Sequence, residues 1–477
     1  MKKNAYLTVY LCLFLALILS LYLILIEEVR VNGAGVEAVC AAEAGMTSIL
    51  AEYHRGLAEG YDLFCIDTSY GTDTPGRNQT EAHLLRYVKQ NLGTEGLFLS
   101  DWLYRDLFGL RAYDAELQKV RFLTDDGGEV FRSLAVDAVK DDLNLNLFQK
   151  VKDWAHIIEI NGLEEVDLEA QKQELIGNLG ISQSTWKEII EKKKDAGTSQ
   201  ILSPQLMEEP KAGLLSLVLE EENLSSKALN EQGLVAERMK AGEINAGNMD
   251  PVTSESVVQS FLFREYILRY LGNYREPKEN GALAYQAEYV IAGKSSDIAN
   301  VKSITARILL IRGAANSLFL RRDEGKQNEI KAAAALASFL IGEPKAEKGF
   351  EELIINTWAT AESVYDLKEI LKGGKIPLLK DKDSWHYDLD AVFGKEEEEE
   401  NEEQEGMTYQ DYLRVLLFLT GTEKLTLRTM NMAEADMRMS DGNVSFRLDA
   451  CICSLEAAVR MSDGKGNEYE VVRTKEY

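Results

Sequence analysis

AYLTVYLCLFLALILSLYLILI, residues 5–26, is an unbroken apolar run with Lys2 and Lys3 in front of it and Glu27 and Glu28 straight after. At 1.5 Å per helical residue it reaches about 33 Å, enough to cross a hydrocarbon core of roughly 30 Å. The side chains expected to face lipid are Leu7, Val9, Leu11, Leu13, Phe14, Leu15, Leu17, Ile18, Leu21, Leu23, Ile24, Leu25 and Ile26. Lysines before the span and acids after it place the N-terminus in the cytoplasm and the remaining bulk, about 450 residues, outside the cell membrane. A cleaved secretory signal has an apolar core of roughly 7 to 15 residues with a small-x-small site directly behind it. Here the nearest small residues, Gly33 to Gly35, lie past Glu27, Glu28 and Arg30, so a retained single-pass anchor is expected.

Beyond the span the pattern stays helical, and no proline occurs until Pro75. One helix of about 50 residues is the simplest reading. Its stretch from Gly33 to Gly45 is crowded with Gly and Ala, which either lets another helix approach closely or is ordinary alanine-rich helix.

The chain has 477 residues with a net charge of −26, and setting aside Lys2 and Lys3 leaves −28 for the part beyond the span. So acidic a surface repels phosphate backbones, which argues against nucleic acid as a partner. Cys12 lies in the span, Cys40 in a helical pattern, Cys65 in an apolar run, and Cys451 and Cys453 two apart; no disulfide framework is implied.

Three regions are expected: residues 1–70 as membrane anchor and extended N-terminal helix, 71–210 as a variable and mostly helical region, and 211–477 as an α+β extracytoplasmic body. LLRYVKQNL, WAHIIEI and ESVVQSFLFREYILRYL read as short amphipathic segments, and residues 195–213 as a linker. Tyr285, Ala287, Tyr289 and Ile291 alternate as on a half-buried strand, followed by a turn at 293–296 and a helix opening at Asp297. Further helices are expected through EIKAAAALASFLI, around Ile354, Trp358, Ala361 and Tyr365 up to Gly373, and through YQDYLRVLLFL behind the capping pair Thr408 and Asp411. Residues 395–405, rich in glutamate, read as a solvated acidic loop. Period-two apolar positions from Cys451 to Met461, the turn SDGKGN, and Tyr469 with Val471 give an antiparallel C-terminal ribbon.

No catalytic, cofactor-binding or metal-binding residues are assigned. His54, His83, His156 and His386 show no metal-ligand spacing, and Glu288 stands where a phosphate loop ending at Gly293-Lys294-Ser295 needs glycine, so neither metal nor nucleotide is expected. Ser184 and Lys187 match an S-x-x-K pair without its companion motifs, and Asp381, Asp383, Asp388 and Asp390 read as a solvated loop.

The N-terminal layout resembles that of the small pseudopilins of tight-adherence (Tad) pilus systems: a basic start, the hydrophobic helix LTVYLCLFLALIL, then a Gly/Ala-rich continuation. More widely, the chain resembles an uncharacterised family of larger Gram-positive proteins encoded among Tad-like secretion genes. AEYHRGLAEGYDLFCID, YQAEYVIAGKSSDIANVKSITARILLIRGAAN, TWATAESVYDLKEILKGGKIPLLK, YLRVLLFLTGTEKLTLRTMNM and FRLDACICSLEAAV carry that likeness. Processed pseudopilins have a cleavage-point glycine and a pairing glutamate; Ala5 and Tyr10 stand there instead. The resemblance implies a non-enzymatic accessory component of a Tad-like pilus or secretion assembly, with other envelope or pilus-assembly proteins as partners. A membrane-tethered extracellular hydrolase and a surface binding or sensing module are the alternatives.

Overall fold

The structure, a computed structural model, describes residues 2–72, 74–93, 108–142, 144–163, 215, 218–252, 256–389, 405–440 and 443–477. The linker at 195–213, Ser184, Lys187, Asp390 and residues 395–404 of the acidic loop lie outside the described residues. Along the chain run α1 (Lys2–Leu50), α2 (Arg55–Tyr61), β1 (Ile66–Asp67), α3 (Arg77–Asn91), β2 (Arg111–Phe122), α4 (Asp125–Asp137), α5 (Leu145–Ile160), α6 (Val235–Ala241) and α7 (Val257–Tyr270). They are followed by α8 (Gln286–Ala292), α9 (Asp297–Arg322), α10 (Glu324–Ile341), α11 (Glu347–Lys372), α12 (Tyr409–Leu419), α13 (Thr422–Ser440), β3 (Cys451–Ser462) and β4 (Glu468–Glu476). They group into two compact units: residues 1–138, 233–254 and 433–477, and residues 139–232 with 255–432. The result is helix-rich with a small antiparallel sheet and a long apolar N-terminal helix.

The first unit is built on α1, which runs 49 residues without a break because nothing in it is proline and its glycines are single. Its second half buries Ala34, Ala38, Ala41, Ala42, Met46 and Ile49, a stripe at helical spacing, against the sheet and α3. Alanine at four of these positions keeps the helix axis close to the strands. The strand partner of everything else is β3: β2 pairs with it from Arg111↔Ser462 to Phe122↔Ile452, and β4 from Ser462↔Glu468 to Ser454↔Glu476. β1 adds Ile66↔Ile452 and Asp67↔Cys451. The expected C-terminal ribbon is β3 and β4, and Leu455, Ala457, Val459, Met461 and Val471 face the same core as the α1 stripe. The sequence reading missed β2. Its apolar residues Ala112, Ala115, Leu117, Val120 and Phe122 lose strict alternation because three register irregularities interrupt its pairing with β3.

The second unit is helical. Trp358, fully buried on α11, packs edge-on to Trp385, which stacks on Phe319 of α9, and both indoles donate to the Tyr387 carbonyl at 3.0 and 2.7 Å. The capping box at Thr408 and Asp411 opens α12 as expected, and Ser256 with Gln259 does the same for α7. Ser296 caps α9 by accepting from Ala299 N.

The strand expected at Tyr285–Ile291 is corrected to helix α8. Gln286, Ala287, Glu288, Tyr289, Val290 and Ile291 are all buried, so no solvent face exists to impose a readable period. The helix stops at Gly293, whose φ of +65° suits glycine. Arg428 then donates from Nη1 to the carbonyls of Val290 and Ile291 at 2.9 and 2.7 Å, satisfying groups that the helix end leaves open.

Of the two readings of the Gly/Ala stretch of α1, Gly45 shows a close approach inside the unit. A Cβ added there would sit 2.5 Å from Val88 Cγ2 and 3.3 Å from Val88 N on α3. Gly45→Val is therefore expected to lower stability by about 1–3 kcal/mol through overpacking, while Ser48→Ala, on the same helix, leaves it nearly unchanged. Thermal melts of the two variants against the parent check this.

Candidate functional site

Two very different environments meet on α1. From Tyr6 to Ile26 every large apolar side chain stands between 47 and 77 % exposed. This includes all thirteen positions expected to face lipid, from Leu7 to Ile26. Removing each from water would contribute roughly 1.5–3 kcal/mol, and no contact within the described residues does so. The helix is compatible with a membrane anchor or a signal sequence. α9 also has the length and hydropathy to cross a membrane, yet most of its apolar window is buried, and its Arg312 is tied to Asp366 in the interior of the second unit.

A belt of charge marks the point where the bare half of α1 ends. Arg30 donates from Nη2 to Glu27 Oε1 and to Asp463 Oδ2, each at 2.8 Å, and from Nη1 to the Phe108 carbonyl at 3.3 Å. Lys465 Nζ donates to Glu27 Oε2 at 2.6 Å. Asp463 opens the β3–β4 turn, and Asn467 and Lys465 fold the turn around it. The hydrogen bond from Arg30, then that from Lys465, draws the Glu27 carboxyl down to about 2. Asn467 first, with Arg30 behind it, holds Asp463 far below the ordinary carboxylate range. Both acids are thus ionised at every physiological pH, and the turn is latched to the helix.

Further along, β4 follows α1 step by step. Tyr469 OH donates to Val31 O at 3.4 Å, Arg473 Nε to Glu43 Oε1 at 3.2 Å, and Tyr477 OH to Leu50 O. Sequence reasoning used Glu27 only for topology and SDGKGN only as a turn. Their meeting had a partial signal, since Glu27 and Arg30 are three apart on a helix, but nothing in the order of residues pairs Arg30 with Asp463.

Two clusters of buried charge lie apart from this belt. In the second unit Arg312 donates from Nη2 to Asp366 Oδ2 at 2.7 Å, and Lys380 bridges Asp366, at 2.6 Å, and Glu362. Against the cost of burial, Arg312 and Lys380 keep Asp366 below its ordinary value. Two cations and two acids balance, and all four are buried. In the first unit Arg238 joins Glu434 at 2.8 Å and Asp449 at 2.5 Å, with Arg438 and Arg447 completing the shell. The acids of both clusters are buried and paired.

The remaining acid of interest is Glu288, wholly buried on α8. Its Oε1 accepts from Tyr274 N and Tyr409 OH, both at 2.8 Å, while Oε2 has no hydrogen-bond partner among the described residues. Burial pushes its carboxyl up to about 7.

A cavity of about 570 Å³ in the second unit is lined by Lys150, Trp154, Ile157, Lys375, Leu378 and Met407 among others, with Glu405 the one acid among the described residues. Among the described residues that lining holds neither a nucleophile with a base nor a pair of carboxylates. His54 caps α2, His83 pairs with Glu52 at 2.8 Å, and His386 stacks on Tyr365. Among the described residues no group of three His, Cys, Asp or Glu is placed to hold a metal ion. Asp381, Asp383 and Asp388 are exposed, Asp381 accepting from Ser384 and Asp388 from Lys326.

The chain belongs to a family of unknown function (DUF5702), whose family model matches residues 191–463. No curated protein and no solved structure matches it.

The state of Glu288 has a measurable consequence. Its value in the fold lies above the ordinary 4.5, so its protonation stabilises the fold fully below about pH 4.5, and that contribution is lost as the pH rises through about 7. Glu288→Gln mimics the protonated form. The variant's melting temperature relative to the parent should therefore rise between pH 5 and pH 8, as measured by paired thermal melts; a difference independent of pH would show that the carboxyl is not shifted.

Proposed function

We propose that this chain is a single-pass membrane protein with a cytoplasmic N-terminus, whose bulk outside the membrane acts as a non-enzymatic accessory component of a Tad-like pilus or secretion assembly. One observation carries the reading: the bare apolar half of α1 and the half that forms the core of the first unit are one uninterrupted helix. A helix seated in lipid would hold this unit rigidly, without a linker. A tethered enzyme gains nothing from such rigidity, because its substrate diffuses to it. An assembly subunit does gain, because contacts in the membrane plane and contacts of the outer unit are then made in fixed register.

Ala5 and Tyr10 at the processing landmarks favour an accessory role over a shaft subunit, with the span kept. The closed state of both buried charge clusters, and the sealed position of Glu288, support the non-enzymatic part. Partners are expected among envelope or pilus-assembly proteins, met through the outer units, with the membrane engaged through Leu7 to Ile26.

Two measurements test this. Protease added to cells stripped of wall should digest the protein beyond residue 30, and protection of that bulk would reverse the orientation. A photo-crosslinking residue at Val9 or Leu21 should capture another membrane protein of the assembly; adducts with lipid alone at every position tried along the span would favour the tethered hydrolase.

A further inference from the structure

The cavity of about 570 Å³ in the second unit has the size of a small-molecule site. α5 buries Val151, Ala155 and Ile158 and turns the neighbouring face, Lys150, Trp154 and Ile157 at i, i+4 and i+7, to the cavity. The segment after α11 supplies Lys375, Leu378 and Leu379, and the segment before α12 supplies Glu405 and Met407. These two segments are joined by Ile376 N donating to Met407 O at 3.1 Å and Met407 N to Ile376 O at 2.9 Å. Gly406 permits that approach, because a Cβ there would lie 2.7 Å from Ile376 N. From the interior, Arg312 Nη1 donates to the carbonyls of Pro377 and Leu378 at 2.6 and 2.9 Å, and the Thr408–Asp411 capping box fixes the start of α12. These walls are set before any ligand arrives.

The polar groups of the lining stand ready for an anion. Lys150 and Lys375 are exposed and Trp154 is half-buried, and no hydrogen bond or ion pair joins the side chains of Lys150, Lys375, Trp154 or Glu405 to another described group. Ammonium and indole N–H groups can only donate. Two lysines against one glutamate leave the described lining at +1, in a chain whose net charge is −26.

We propose that this cavity binds a small organic carboxylate: an aromatic or acyl body packed against Trp154, Ile157, Leu379 and Met407, with its anionic group met by Lys150, Lys375 and the Trp154 indole N–H. Both cations are lysines, compact charges without the planar fork of arginine, so they select charge more than head-group shape. The lining of +1 suits a monoanion. A phosphate monoester carries about −1.5 to −2 at neutral pH and would leave the cavity net negative. A bare inorganic anion would give up water against Ile157 and Leu379 and gain no apolar contact in return. The inference goes beyond a role in an assembly and does not depend on which side of a membrane the unit stands.

The test uses the full chain in a neutral detergent and fluorine NMR of para-trifluoromethylbenzoate, with para-trifluoromethylbenzamide as the uncharged counterpart. The benzoate should bind saturably and be displaced by octanoate, and the benzamide should bind about tenfold more weakly. Combining Lys150→Ala with Lys375→Ala should cut the affinity for the benzoate about tenfold. Lys152→Ala, on the same helix and exposed but outside the lining, should leave it unchanged. Glu405→Gln should tighten binding, and thermal melts matching the parent show that each variant is folded. Equal affinity for benzoate and benzamide, or an unchanged affinity in the double lysine variant, overturns the site. So does the absence of saturable binding by both the benzoate and octanoate. Unchanged or weaker binding in Glu405→Gln, or inorganic phosphate displacing the benzoate as well as octanoate does, overturns the choice of an apolar monoanion.

Discussion

One helix has to satisfy two incompatible surroundings, and the way α1 does so constrains everything around it. Its first half offers an apolar surface that no described residue of the first unit covers, and its second half offers a stripe of mostly alanine that the sheet does cover. The boundary between them is fixed electrostatically: Arg30 cannot enter an apolar phase while it is paired with Glu27 and Asp463, and Asp463 in turn is held by its own turn. A charged belt of that kind sets how far the helix can slide along its axis, as a hydrophobic stripe alone would not.

The strand order makes the same point from the other end of the chain. β3 is the partner of β1, β2 and β4, so residues near 66 and 111 depend on a strand near the far end of the sequence. The sheet of the first unit is therefore incomplete until the C-terminal ribbon is present, and its contacts are dominated by long sequence separations. Such an order costs loop-closure entropy before it returns any packing. The three tie points between the C-terminal segment and α1, at Tyr469 and Arg473 of β4 and at Tyr477 just after it, offset part of that cost after closure.

What the sequence made legible was local. The 49-residue helix, the capping box at Thr408, the stop at Gly373 and the ribbon with its turn all follow from residues close to one another. β2 escaped because its irregular pairing erases the period of two, and α8 was misread because burial on every side erases the period of 3.6. For the candidate site, the apolar run was plain, but the belt at Arg30 and the charge cluster at Arg238 join residues that lie far apart in the sequence, and the cluster at Arg312 joins two helices and a loop. No spacing rule encodes those pairings.

The charge clusters bear on specificity more than on strength. Taking Arg312, Asp366, Lys380 and Glu362 out of water together costs about as much as their mutual attraction returns, but removing any one leaves a buried charge uncompensated at about 3–5 kcal/mol. The same holds for Arg238 with Glu434 and Asp449. A purely apolar interior tolerates shifted packings of one helix on another. An interior with a guanidinium that must reach one carboxylate, one amide and two carbonyls, as Arg312 does, tolerates a single arrangement. A unit held to one arrangement in this way presents its surface in a fixed pose, and a surface in a fixed pose can be recognised without a further ordering cost.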